Sequence, residues 1–351
     1  MAITLRVDAA RWRAHLTATV HAYPGIIPVV KGNGYGFGLD LLVAECARLN
    51  GSDGVDTIAV GTYTEAPVAL AGFPGDVLVM EPYRPVIHAG LPQLGAGQLV
   101  HTITHGPDLL DLAERVARPR VVVEGLSSMN RHGVPREWLQ STLDGTKALN
   151  DRVEVVAVSL HLPLGAGHLA EVQSWVKDFD GPLARRWQLS HLTAAEQTDL
   201  QAAYPDRVFR CRVGTHLWLG DPEALRVTAH VLDVRRVTTG DRAGYRRRRL
   251  RAGWLLVVSG GTAQGVALEA PSGADTVRRR AVALAEGAME AAGRVRSPFQ
   301  VAGHSAWFVE PPHMQVSLVA LPEGATPPEV GDEVAVRVRN TTLHADAVVL
   351  D

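Results

Sequence analysis

Cysteine is nearly absent from this 351-residue chain, which contains only Cys46 and Cys211. Two thiols cannot build a disulfide framework, and Cys46 sits in an apolar helical run. Both read as small core residues of a protein kept in a reducing compartment. An excess of one charge is missing too: 35 Lys and Arg face 37 Asp and Glu, for a formal net charge of −2. That balance gives no general attraction to nucleic acid or to an anionic membrane. The basic run Arg246–Arg249 has no interleaved aromatics and reads as a solvated loop, not a nucleic-acid patch. No apolar stretch approaches the ~20 residues of a membrane span. The opening MAITLRVDAARW carries no signal-peptide h-region. The expectation is a soluble cytoplasmic protein, with no nucleic-acid or membrane partner and no metal site.

What is present is ordinary for a globular enzyme, with 46% hydrophobic and 21% charged residues. The length suffices for a barrel-sized domain and a smaller one. The most informative stretch is Ile26 to Gly38, IIPVVKGNGYGFG. An apolar strand-like run ends on Lys31, and glycines follow at positions 32, 34, 36 and 38. A buried strand that delivers a lysine to its carboxyl end places an amine where desolvation penalises the ammonium. Glycines let the following loop turn sharply and approach a ligand closely. Lys31 therefore reads as a Schiff-base lysine beside a ligand cradle. A phosphate-binding P-loop is excluded, because the lysine precedes the glycines and no Lys-Ser or Lys-Thr pair closes the segment. The glycine spacing also departs from the dinucleotide fingerprint.

Short apolar strands alternate with helical patterns through the first two-thirds of the chain. The strands are expected near 26–31, 57–61, 77–80, 98–104, 120–124, 154–160, 187–191 and 207–211. The helices between them include Leu39–Leu49, Thr64–Ala71, Pro107–Val116, Arg136–Leu149, His168–Asp178 and Ala194–Tyr204. This alternation predicts an α/β fold, a parallel (β/α)8 TIM-type barrel over residues 1–222 with its chemistry at the strands' carboxyl ends. After about Gly220 the pattern turns β-rich, with strands expected at Arg226–Val237, Gly253–Val258, Met314–Leu321 and Glu333–Arg339. One helical stretch, Val277–Ala292, interrupts them. Residues 223–351 are thus expected to form a smaller, mainly-β domain.

Val7-Asp8, a helix with Trp12 and His15, and then VVKGNGYGFG resemble the start of alanine racemase and its fold-type III relatives. Those enzymes use pyridoxal 5'-phosphate (PLP), and their architecture is also a barrel followed by a β domain. The resemblance implies that Lys31 carries PLP and that Tyr35 contacts its phosphate. Arg212-Val213-Gly214-Thr215 is similar to the family's Arg-x-Gly-Ile, which implies Arg212 at the pyridine nitrogen and Gly214 and Thr215 at the phosphate. A guanidinium cannot give up its proton at working pH, so it keeps the ring nitrogen unprotonated. That favours brief deprotonation at Cα. His161, in Ser159-Leu160-His161, matches the Ser-His that packs on the PLP ring. Thr193 stands near the family's His-x-x-Asn-Ser and is expected at the phosphate. Asp241-Arg242-Ala243-Gly244-Tyr245 resembles the segment whose tyrosine enters the partner subunit's site opposite the lysine. Tyr245 is then the second catalytic base of a homodimer. Its ordinary pKa near ~10 calls for positive charge close by. Arg131, in Ser127-Ser128-Met129-Asn130-Arg131-His132-Gly133, resembles the arginine that holds substrate and cofactor.

The substrate side departs from the family pattern. Glu124 stands where the family often has a carbamylated lysine, and is expected to position Arg131. Glu310-Pro311-Pro312-His313-Met314 replaces the Cys-Met-Asp whose backbone N–H binds the substrate carboxylate. Prolines have no N–H, and Met314 is the substrate contact that the resemblance implies in this segment. Gly261-Thr262-Ala263-Gln264-Gly265 replaces Gly-Tyr-Ala-Asp-Gly, and the chain lacks the family's late Tyr-Glu phosphate contact. The resemblance implies a PLP-dependent, alanine racemase-like isomerase working on a small-molecule amino-acid substrate. Three alternatives stay open: another PLP enzyme such as a decarboxylase or non-alanine epimerase, a PLP carrier without turnover, and a scaffold that has lost the cofactor.

Overall fold

A computed structural model describes residues 3–149, 152–179, 181–268, 295–301 and 303–351. The chain forms two compact units, one of residues 13–34 and 38–220, the other of 1–12, 35–37 and 221–351. It opens with β1 (Ile3–Val7), which belongs to the second unit. The strands of the first unit follow: β2 (Ile27–Pro28), β3 (Thr57–Val60), β4 (Asp76–Pro82), β5 (Leu99–Ile103), β6 (Arg120–Gly125), β7 (Glu154–Leu160), β8 (Arg186–Ser190) and β9 (Val208–Val213).

These strands lie in the order β2-β9-β8-β7-β6-β5-β4-β3, each neighbouring pair parallel. Val30 N–H donates to Ala59 O at 2.7 Å beside a parallel Val29–Ala59 bridge, and so closes the sheet into a barrel. Strands covered on both faces need unbroken apolar runs in place of alternation. Val121, Val122 and Val123 of β6 are accordingly all buried. One core cluster joins Ile27, Val29, Ala59, Leu78, Met80, Val100, Val122 and Ala157. Burying each of the larger side chains contributes about 1.5–3 kcal/mol. The outer helices show the matching 3.6 period. In Gly106–Arg115, Leu109, Leu112 and Ala113 are buried and Pro107 lies in the first turn. The fold is the expected α/β barrel, and the loops after its strands share the carboxyl-terminal mouth.

The second unit contains β1 and, in chain order, β10 (Leu225–Val237), the hairpin β11 (Arg242–Ala243) and β12 (Arg248–Arg249), β13 (Gly253–Ser259), β14 (Val295–Val301), β15 (His304–Phe308), β16 (Val316–Pro322), β17 (Glu333–Val336) and β18 (Ala347–Leu350). Its main sheet runs β13-β16-β15-β14-β17-β10-β1-β18, with β13 also pairing β10. The linear division at residue 222 is corrected at the amino terminus. β1 pairs antiparallel with β10, Ile3 opposite Ala229, and parallel with β18, so its hydrogen bonds tie the first residues to the β unit. Trp12 stacks on Phe37 in the same unit, with ring centroids 4.8 Å apart. The helix expected at Val277–Ala292 lies outside the described residues. Among the described residues no helix is long and apolar enough to cross a membrane.

Candidate active site at the barrel mouth

Lys31 stands just past β2, where the loop turns back through Gly34 N–H to Lys31 O at 3.1 Å. Gly34, Tyr35 and Gly36 follow with φ of 59°, 54° and 93°. A Cβ on Gly34 would come 2.9 Å from the Leu39 backbone nitrogen, so this turn needs glycine there. Tyr35 itself is buried in a left-handed conformation. The Glu65 carboxylate clasps the loops after β2 and β3, accepting N–H groups from Gly32 and Gly61 at 2.7 Å each and from Thr62 at 3.2 Å. Burial lowers the Lys31 pKa, and the positive charges of Arg131 and Arg212 lower it further against the opposing pull of Glu65. An amine that gives up its proton more readily is a better nucleophile toward a carbonyl.

Arg212, the penultimate residue of β9, is 1% exposed in its side chain and so is Glu124 of β6, 3.3 Å away from Nη1 to Oε2. Arg212 Nη2 donates to Leu160 O at 3.0 Å, and Ser159 Oγ donates to Glu124 Oε2 at 3.0 Å. The register of the parallel strands puts Glu124 directly opposite Ser159. His132 Nδ1 lies 3.0 Å from the other carboxylate oxygen. Burial pushes the Glu124 carboxyl up, but the adjacent His132 and the positive charge of Arg212 outweigh it and hold it at about 2. The expectation that Glu124 positions Arg131 is therefore corrected. Arg131 is exposed on the loop after β6, and its charge is felt at Lys31 and His161. The carboxylate is spent on Arg212 and His132, which reach it from β9 and from the turn beyond Arg131.

His161 follows β7, and burial together with the Arg212 and Arg131 charges lowers its pKa to about 3. Its ring meets His191 edge to face, centroids 5.6 Å apart. Gly214 and Thr215 open the short helix Thr215–Leu219, whose first N–H groups have no intrahelical acceptor. Thr193 is engaged elsewhere. Its hydroxyl donates to Glu196 at 2.9 Å and accepts from the Glu196 N–H at 3.2 Å, a capping box that starts helix Ala194–Ala203. That hydroxyl has to leave Glu196 before it can take a phosphate.

Two buried atoms test whether PLP suits this set. Arg212 Nε and His161 Nδ1 have no hydrogen-bond partner among the described residues. A buried donor left unpaired costs about 1–3 kcal/mol, so Arg212 suits a ligand that brings an acceptor such as a pyridine nitrogen. With the lowered amine of Lys31 in the same mouth, the donor set fits the cofactor.

Tyr245 lies in the other unit, on the β11–β12 hairpin, 85% exposed. It lines a groove of about 610 Å³ with Arg246, Glu310, Pro311, Pro312, His313 and Met314 among others. His313 N–H is spent on Val316 O at 2.9 Å. With two prolines before it, Met314 offers the next backbone N–H of this segment, and its side chain is 74% exposed. Sequence reasoning missed Glu65, Ser159, His132, Glu310 and His313 as partners in these arrangements. For Glu65 the Thr62-x-x-Glu65 spacing was a usable capping signal, and Glu310 and His313 stand three residues apart, whereas Ser159 and His132 meet Glu124 only through tertiary contacts.

A family model described as alanine racemase, N-terminal domain, matches residues 7–215, more than half of the chain. None of the curated proteins compared matches significantly. Alanine racemase from E. faecalis shares the fold at TM-score 0.71 and 16% identity, over 100% of this chain and 98% of that one. Histidine racemase from Leuconostoc mesenteroides subsp. sake aligns at TM-score 0.67 and 17% identity, covering 100% and 97%. Alanine racemase from Bartonella henselae, with covalently bound pyridoxal phosphate, aligns at TM-score 0.70 and 17% identity, covering 100% of both. The barrel, its mouth and the family match together lead to one conclusion: the chain belongs to the alanine racemase family.

Proposed function

We propose that this protein is a homodimeric, PLP-dependent amino-acid racemase. The observation that carries the reading is the lowered amine of Lys31 in the same mouth as a buried Arg212 with an unspent Nε. Lys31 would hold the cofactor through Nζ, Arg212 would face the ring nitrogen, and Tyr35, Gly214 and Thr215 would take the phosphate. His161, held neutral, would cover the ring. When bound, PLP supplies an electron sink that acidifies the substrate Cα–H.

The chain's own groups then divide the remaining work. Lys31 Nζ moves a proton on one face of Cα, and Tyr245 Oη of the second copy moves one on the opposite face. Inverting a stereocentre needs one proton-transfer group per face. Arg131, exposed beside this mouth, would orient the substrate carboxylate with the Met314 N–H of the second copy, fixing the Cα–H geometry. The loss of backbone donors at Pro311 and Pro312 supports an amino acid other than alanine.

The test is spectroscopic first. Purified protein reconstituted with PLP should show a visible absorbance band that Lys31→Ala abolishes. A protein that stays colourless with added cofactor refutes the assignment. Exchange of Cα–H for solvent deuterium across L- and D-amino acids should then reveal the substrate, while a coloured protein that exchanges none would be a carrier.

A further inference from the structure

The β unit contains a buried acid that the proton transfers above do not use. The Glu310 side chain is 3% exposed, yet it accepts three hydrogen bonds. Tyr245 N–H donates to Oε1 at 2.9 Å, Arg246 N–H to Oε2 at 3.2 Å, and His313 Nε2 lies 2.7 Å from Oε1. His313 in turn lays its ring against that of Tyr245, with centroids 4.4 Å apart and planes tilted by 36°. One carboxylate therefore grips the backbone of Tyr245 and also the imidazole on which its phenol rests.

The residue before the tyrosine is shaped to this arrangement. Gly244 has φ of +77°, and a Cβ built there would come 2.2–2.4 Å from the Glu310 carboxyl atoms. Only a bare backbone lets the acid sit beneath the hairpin. The charged and titratable groups lining the groove with Tyr245 are Arg246, Glu310 and His313, so among the described residues no other ionisable side chain of the groove competes for these contacts.

We infer that Glu310 and His313 are positioning residues for Tyr245, holding the phenol in the one orientation from which it reaches a substrate Cα. An 85% exposed tyrosine would otherwise sample several rotamers, and a reacting group displaced by about an ångström loses roughly a hundredfold in rate. The segment 310–314 thus exchanges backbone donors, which its prolines cannot supply, for an acid and a ring platform that fix the second base. This inference rests on the reading of Tyr245 as that base.

The experiment uses the full-length, PLP-loaded enzyme and its cofactor-free form. Tyr245→Phe first identifies which enantiomer loses its Cα–H exchange. His313→Ala should slow exchange from that same enantiomer at least tenfold through kcat, leaving KM and the Lys31-side exchange within about twofold. His313→Phe, which keeps a ring platform, should recover part of the loss. Gly244→Ala, which displaces the acid without removing it, should reproduce the His313→Ala phenotype. In the cofactor-free protein, amide hydrogen exchange at Tyr245 and Arg246 should quicken in Glu310→Ala, with the barrel amides unchanged. Wild-type kinetics in His313→Ala, or equal losses from both enantiomers, would overturn the positioning role and leave the racemase reading standing. If Tyr245→Phe slows neither enantiomer, the two-base reading fails instead. Unchanged amide protection in Glu310→Ala would then overturn the clasp as well.

Discussion

Glu124 and Arg212 meet at 3.3 Å with 1% of each side chain exposed, an ion pair sealed inside the barrel. Isolated, either charge would be costly there; paired, each compensates the other. Ser159 and His132 complete the carboxylate's surroundings. The arginine proposed to face the cofactor ring is thus held by a buried carboxylate from another barrel strand.

Acid should break this arrangement in a defined window. The folded Glu124 carboxyl sits at about 2 against an ordinary value of 4.5. Its stabilisation is complete above the unfolded value and is lost as pH falls toward the folded one. The difference is on the order of 3 kcal/mol. Urea melts at stepped pH should show wild type losing that stability between about pH 5 and about pH 2, with a flatter profile for Glu124→Gln. Parallel profiles would disprove it. At neutral pH the same variant should be less stable by about 3–5 kcal/mol, because Arg212 is left buried without its partner.

Removing Arg131 should make Lys31 more basic. After burial, the Arg131 charge is the largest influence lowering the lysine's pKa. The rate at which Lys31 couples to added PLP, followed by absorbance across pH, should shift to higher pH in Arg131→Ala. A shift to lower pH, or none, would contradict the placement of this guanidinium charge beside the amine.

Thr193 offers a contrast between cap and ligand. Thr193→Ala removes the cap of helix Ala194–Ala203 and should cost about 1 kcal/mol in denaturant unfolding, with Thr193→Ser restoring it. PLP affinity, titrated by fluorescence, should change little so long as the hydroxyl stays on Glu196. A tenfold loss of affinity that Ser rescues would instead assign the hydroxyl to the phosphate.

Much of this molecule is legible in the chain, because the relevant forces are local. Buried parallel strands need continuous apolar runs, and residues 120–124 and 154–160 announce β6 and β7 on that ground. Helix Gly106–Arg115 follows from its apolar spacing and its proline, and the Lys31 loop from a strand end followed by glycines. β1 escaped notice. Its five residues are apolar enough, but they form a strand only by pairing with β10, more than two hundred residues away.

The sequence by itself determined the barrel, the strand-end lysine with its glycine loop and the family, since each rests on residues that are neighbours in the chain or on a repeating period. The tertiary structure decided who holds whom. Glu124 grips Arg212 because β6 and β9 both point side chains into one barrel, where two buried charges need each other. Glu310 reaches the Tyr245 hairpin across 65 residues of chain because Gly244 leaves room for a carboxylate. Such partnerships depend on register and close approach, which no spacing along the chain records.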